Sequence, residues 1–219
     1  MVKVERSFPA PKSLEIEAKK ANGSYSEPDV VEQLKKDFHN KCYICEINNL
    51  QDPEVEHLLP HKNGLYIERK FDWNNLFWSC GHCNKVKNRQ EYDNGILDCC
   101  NQDPEEVICF RTENNNVDVT AKNQADIVAV LTSELVQEVF NIKNTGMRIY
   151  KSELRLQELN MEMNILYDNL EELKKNPDSK IVLRKLKALL RRESRFSAFK
   201  RCYIRDNINL FPQLSDYLI

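Results

Sequence analysis

The 219-residue chain carries 32 lysines and arginines against 34 aspartates and glutamates, a formal net charge of −2, and 30% of its residues are charged. Its mean hydropathy is −0.61. No run approaches the roughly 18 consecutive apolar residues that a membrane span needs, and no basic-then-apolar segment opens the chain, so membrane, secreted and fibrous classes are excluded and a cytoplasmic protein is expected. With 5 glycines and 8 prolines, Gly plus Pro is about half the average share, which favours helix.

In chain order, residues 1–26 contain Pro9 and Pro11 without a clean period and read as an extended arm or partner-docking segment. Glu27-Pro28 opens a short helix with Val31, Leu34 and Phe38 on one face, feeding Cys42-Tyr43-Ile44-Cys45. Glu54–Pro60 is β-like, a loop passes through Asn63-Gly64, and Trp73–Ser79 reads as a second strand or an irregular connector. A helix is expected from Gly81 to Tyr92, and turns at Asn94-Gly95 and Asp103-Pro104. Val107–Arg111 and Val117–Val119 are expected to pair around Asn114-Asn115-Asn116.

From Thr120 onward the pattern is helical. Ala125–Ile142 is amphipathic, Asn144-Thr145-Gly146 interrupts it, and Ile149, Ser152, Leu156, Leu159, Met163, Leu166, Leu170 and Leu173 form a heptad-like stripe. That stripe fits an antiparallel helical hairpin within one subunit or an interface with a partner or second copy, giving a possible homodimer. Pro177-Asp178-Ser179 caps a basic helix from Lys180 to about Lys200. Residues 180–205 hold ten Lys/Arg and one acid, Glu193; such a bias fits a solvated face or a contact with nucleic acid or a partner.

Eight cysteines are present. In a reducing compartment disulfides are a poor explanation. Two C-x-x-C turns, Cys42/Cys45 and Cys80/Cys83, can direct four thiolates at one tetrahedral structural zinc ion. The 34 residues between the pairs exceed a simple zinc ribbon, so a substructure is inserted there. Cys99, Cys100, Cys109 and Cys202 read as small buried apolar residues, and His82 as a turn residue.

The insert carries Glu56-His57-Leu58-Leu59-Pro60-His61, then Asn75-Leu76, and runs into Cys83-Asn84-Lys85-Val86-Lys87. Between two zinc knuckles these polar residues are expected on one wall, suited to phosphodiester hydrolysis. His57 is the candidate general base, and Asn75 the residue that fixes its geometry through amide hydrogen bonds. Glu56 and the Asn84 amide oxygen are candidate ligands for a divalent ion such as Mg²⁺ or Mn²⁺. Lys87, one turn after Asn84, and His61 are candidate phosphate contacts.

The order Cys-x-x-Cys, Glu-His-x-x-Pro, Asn-Leu, Cys-x-x-Cys-Asn-x-x-Lys resembles the HNH endonuclease family over about 46 residues, Cys42 to Lys87. The resemblance implies a ββα-metal core with His57 as first histidine and base and Asn75 as the central asparagine. Asn84 stands in place of the last histidine, a departure that weakens its hold on a metal. The opening Met1-Val2-Lys3-Val4-Glu5-Arg6, Pro9 and the helical C-terminal region resemble, more narrowly, the HNH subunits that accompany an ABC-type ATPase in Septu-type and some retron-linked antiphage systems. That implies an ATPase partner and a nucleic-acid substrate, DNA or RNA. The expected fold is α+β: an HNH domain over residues 27–120 and a helical region over 121–219. The other readings are a catalytically silent zinc scaffold and a stand-alone restriction or homing nuclease; the latter needs a sequence-reading domain, and no helix-turn-helix or zinc-finger signature is present.

Overall fold

The structure, a computed structural model, describes residues 1–113, 116–141 and 146–218. The expectations that fall on Asn114, Asn115, Ile142, Asn144 and Thr145 lie outside the described residues. The described residues are mixed α and β, with two separate two-stranded sheets and a predominance of helix among them.

The first residues are not a free arm. Met1, Val2 and Val4 are buried, and the Val4 N–H donates to the Cys99 carbonyl at 3.0 Å. The Arg6 guanidinium donates to the Trp73 and Leu76 carbonyls at 2.8 and 2.9 Å, and lies 4.8 Å from the Trp73 ring centroid and 4.9 Å from that of Phe77. A cation gains by such aromatic faces once water is excluded. Helix α1 (Lys12–Glu17) then packs on α2 (Pro28–Asp37). Proline at the first position of α2 forgoes only an N–H that has no helical partner there. Its deepest apolar residues are Val30 and Leu34, followed by Phe38; Val31, expected on that face, is half-buried.

Strand β1 (Pro53–His57) pairs antiparallel with β2 (Leu76–Cys80), from Pro53 opposite Cys80 to His57 opposite Leu76. One-turn helix α3 (Ile67–Lys70) and a 3₁₀ turn at Trp73–Asn75 lie in the connection. Helix α4 (Gly81–Lys87) starts as β2 ends. It stops at Asn88 rather than reaching Tyr92, which sits in a 3₁₀ turn whose phenol donates to Glu138 at 2.9 Å.

After α5 (Pro104–Val107), β3 (Ile108–Glu113) and β4 (Asn116–Ala121) form the expected hairpin. It packs against α6 (Ile127–Asn141) and α9 (Ser197–Asp206). Phe199 stands edge-on to Phe110 and Phe140 at 5.6 and 5.7 Å. The hairpin thus shares its core with the helices, and a boundary at residue 120 cuts through that packing. α7 (Gly146–Lys175) is 30 residues long, about 45 Å at 1.5 Å per residue. Its Leu159, Met163, Leu166, Leu170 and Leu173 are buried by this chain's own residues, among them α8 (Lys180–Leu190). Of the two readings of the heptad stripe, the structure has the intramolecular one.

The basic stretch is two helices, not one. α8 ends at Leu190, and Phe196, fully buried and in a left-handed conformation (φ 48°), precedes α9. Much of its charge is neutralised within the chain. Arg192 pairs with Asp103 at 2.5 Å, Arg195 with Glu158, and Lys200 with Glu162 at 3.0 Å. Arg201 and Arg205 meet Glu105 at 2.9 and 2.6 Å. Lys180, Arg184, Lys185, Lys187 and Arg191 remain exposed. No helix among the described residues is long and apolar enough to cross a membrane.

Candidate active site and zinc centre

The Sγ atoms of Cys42, Cys45, Cys80 and Cys83 all lie within 4.8 Å of one another and all four residues are buried. A tetrahedral zinc with Zn–S of ~2.3 Å requires sulfur separations of about 3.8 Å; Cys45 and Cys80 stand at 4.0 Å. Four buried thiols at this spacing fit structural zinc. The first knuckle closes through Glu46 N–H to the Cys42 carbonyl at 2.9 Å, and the Tyr43 N–H donates to the Trp78 carbonyl of β2 at 3.0 Å. The metal site therefore ties the chain before β1 to the end of β2.

The helical region reaches both knuckles: at the first, the Ala198 N–H of α9 donates to Glu46 at 3.0 Å. Arg155 of α7 donates to Cys80 Sγ at 3.1 Å, and His82 Nε2 meets the Val139 carbonyl of α6 at 3.1 Å. Hydrogen bonds from Cys42, Cys45 and Cys83, with Arg155 nearby, drive the Cys80 thiol far below its usual range, while burial pushes Cys45 and Cys83 up. Thiolate character stabilised by a guanidinium is what a metal ligand needs. Burial also lowers the His82 pKa to about 4. His82 is thus more than a turn residue, because it docks the second knuckle on α6.

A cleft of about 420 Å³ opens beside β1 and α4, and Tyr25, Glu56, His57, His61, Asn84 and Lys87 all line it. The His57 Nε2 lies 3.1 Å from the Lys70 carbonyl. A carbonyl only accepts, so Nε2 carries the proton and Nδ1 keeps a lone pair. Burial, opposed by that bond and assisted by His61, Lys87 and Lys70, lowers the His57 pKa to about 4, so the imidazole is neutral at physiological pH. Tyr25 meets the His57 ring edge-on at 4.5 Å, and His61 does so at 4.8 Å. Nothing in the sequence pattern pointed to Tyr25, which stands 32 positions before His57.

Asn75 does not bond to the His57 ring. Its Oδ1 accepts from Leu59 N–H at 2.8 Å, and its Nδ2 donates to the Leu59 and Arg69 carbonyls at 2.9 Å each. It clasps the two chain segments that carry His57 and its orienting Lys70 carbonyl, and so positions the base through backbone. Asn75→Ala removes three buried hydrogen bonds and is expected to cost about 2–3 kcal/mol in urea denaturation. Asn75→Asp should be no better, since a carboxylate cannot donate to the two carbonyls.

Glu56 and Lys87 are more occupied than the sequence implied. Both are buried. The Glu56 carboxylate pairs with Lys87 Nζ at 2.6 Å and accepts from the Tyr43 phenol at 2.6 Å. Lys87 also donates to the His57 and Leu58 carbonyls, both at 2.9 Å. In this arrangement Lys87 braces the end of β1 instead of offering a free cation to a phosphate. Lys87→Met strands a buried carboxylate and is expected to destabilise by about 3–5 kcal/mol, with Lys87→Met/Glu56→Gln recovering part of the loss in the same denaturation measurement.

Asn84 Nδ2 donates to Glu54 at 2.5 Å, which leaves its Oδ1 as a hard oxygen donor. His61 Nδ1 accepts from the Gly64 N–H at 3.1 Å, capping the turn that follows. The cleft therefore gathers one neutral base, one buried carboxylate and one amide oxygen. Oxygen donors of this kind suit Mg²⁺ or Mn²⁺, provided Glu56 gives up its ion pair with Lys87.

No family model matches the chain. It is similar to the Septu protein PtuB of Bacillus mycoides (strain KBAB4), with 29% identity over a match that covers 40% of this chain and 40% of that protein. The match thus spans less than half the length of the curated relative.

Proposed function

We propose that this chain is a metal-dependent HNH-type endonuclease that hydrolyses phosphodiester bonds of nucleic acid. The observation that carries the reading is the meeting of Glu56, His57 and Asn84 in one cleft, on a β–β–α unit with one cysteine pair before it and the other at its β2–α4 junction. In the proposed reaction His57 Nδ1 takes a proton from a water as its oxygen bonds to phosphorus. The electrons of the breaking P–O bond pass to the departing 3′ oxygen, which is protonated from solvent. The Lys70 carbonyl and Asn75 hold the imidazole, while Tyr25 and His61 wall it. A divalent ion held by Glu56 and Asn84 would supply positive charge against the charge that develops on the phosphate.

The similarity to Septu protein PtuB supports a role in a Septu antiphage system, and we place the chain there as the nuclease acting with an ABC-type ATPase. An overall net charge of −2 is compatible with delivery to nucleic acid by a partner, since phosphate binding alone demands excess cations. A second reading, a silent zinc scaffold, is favoured by the full engagement of Glu56 with Lys87 and Tyr43.

The test is incubation of the purified chain, with and without the proposed ABC-type ATPase partner, with supercoiled plasmid and total RNA in Mg²⁺ or Mn²⁺. Nicked or fragmented product that vanishes on chelating the added ion supports the nuclease. Intact substrate with the full complex assembled supports the scaffold.

A further inference from the structure

The loop that joins β1 to α3, with the first residue of that helix, presents three consecutive apolar side chains to solvent: Leu65 is 73% exposed, Tyr66 37% and Ile67 55%. Its backbone is ordered, with Gly64 and Tyr66 N–H groups both donating to the His61 carbonyl at 3.1 Å. Holding such side chains outward forgoes roughly 25 cal/mol per Å² of burial, and clustered exposed apolar surface marks a contact site.

Two observations choose the occupant. The first is charge: residues 62–70 hold Lys62, Arg69 and Lys70 against the single acid Glu68, and since Asp93 takes up Lys62, Arg69 and Lys70 of α3 are the cations beside the exposed apolar side chains. The Arg69 guanidinium lies 4.1 Å from the Tyr66 ring centroid, forming a flat cationic platform. The second is continuity: Lys62 and Asn63 line the same cleft as His57, and the loop leads directly into Arg69 and Lys70, whose carbonyls receive Asn75 and His57. Apolar and aromatic side chains are poor company for a phosphate but match the faces of unstacked bases.

We infer that Leu65, Tyr66 and Ile67 form a base-gripping platform that engages unpaired bases of a nucleic acid beside the catalytic cleft, so that the preferred substrate is single-stranded or locally opened. This rests on the cleft being the nucleic-acid site proposed above. Because the loop ends on the carbonyl that orients His57, strand engagement and base alignment are coupled.

The test uses the full zinc-loaded chain and labelled 20-nucleotide single strands of DNA and of RNA, with the matched duplexes, by fluorescence anisotropy without added divalent ion. A 2-aminopurine placed in the strand reports stacking. Tyr66→Ala is expected to weaken single-strand binding about tenfold or more and to abolish 2-aminopurine quenching. Leu65→Ser/Ile67→Ser is expected to weaken it less, and duplex binding should move little. As all three side chains are exposed, unchanged thermal melts serve as the folding control.

The proposal is overturned if these variants bind single strands like the parent, if the parent binds duplex and single strand alike, or if it binds no single strand. It is also overturned if the variants lose only the ATPase, which would make the loop a protein-docking surface. Strand binding through Tyr66 without any cleavage would sink the nuclease reading alone. Cleavage that needs His57 but ignores the loop substitutions would sink the platform alone.

Discussion

His57→Ala is expected to lower the cleavage rate by about 10²–10⁴-fold, the range lost when a positioned general base is removed, while the zinc content and melting temperature stay near those of the parent. The selectivity follows from how the residue is held. His57 ends β1, its Nε2 spends its one proton on the Lys70 carbonyl, and its contacts beyond that are edge-on rings from Tyr25 and His61. The strand end is fixed independently of the imidazole, by Lys87 and by Asn75 through main-chain atoms. His57→Gln separates two roles. It can restore a hydrogen bond to the loop, but an amide cannot take the proton, so its rate should resemble that of His57→Ala. Parent-like rates in either variant would remove His57 as the base.

Cys80→Ser is expected to have the opposite profile: the protein loses its metal and its fold together. Cys80 is the last residue of β2, pairs with Pro53, accepts from Arg155, and begins the turn into α4. Binding of structural zinc by four thiolates is worth roughly 10–16 kcal/mol in apparent terms, comparable with or larger than the whole stability of an ordinary domain. A site with one weak oxygen ligand cannot hold β1, β2 and α4 against chain entropy. Less than one zinc per chain by elemental analysis, with loss of a cooperative thermal transition, is the expected readout. A variant that melts like the parent would mean the four cysteines are not a folding determinant.

The parts of this molecule that could be read from sequence are those whose physics is local. The C-x-x-C spacing announced a four-thiol site because two turns suffice to define it. The small hairpin follows from its turn residues and α7 from heptad spacing, whereas Trp73–Ser79 reads equally as a strand or an irregular connector, because β2 is buried on both faces and shows no alternation. The misread parts have distant causes. Arg6 needs the rings of Trp73 and Phe77, so from sequence its segment reads only as an extended arm or docking segment, with no sign of what it docks on. The basic run between 180 and 205 looked like one long cationic helix, yet acids at 103, 105, 158 and 162 neutralise half of it. A buried Phe196 in a left-handed conformation divides it. Lys87 was expected at a phosphate because helical spacing puts it beside Asn84. Its actual partners, Glu56 and two carbonyls of the β1 end, are visible only once the strand lies against the helix. One consequence concerns charge reversal in the basic region: substituting glutamate at Arg192 or Arg195 sets it against Asp103 or Glu158 and reports on folding, whereas Lys180, Arg184, Lys187 and Arg191 are the exposed positions at which binding can be probed.

If cysteine-tied strands and a helix bring a histidine base and an oxygen-donor cradle to one phosphodiester, the cleaved ends carry the signature. The most direct measurement is analysis of product ends after incubating the chain, with the proposed ABC-type ATPase partner, with end-labelled DNA and RNA, with Mg²⁺ or Mn²⁺ added and then chelated. Expected are 5′-phosphate and 3′-hydroxyl ends that form only with the divalent ion and only with His57 present. Intact strands from the assembled complex, or the same ends from His57→Ala, would contradict it.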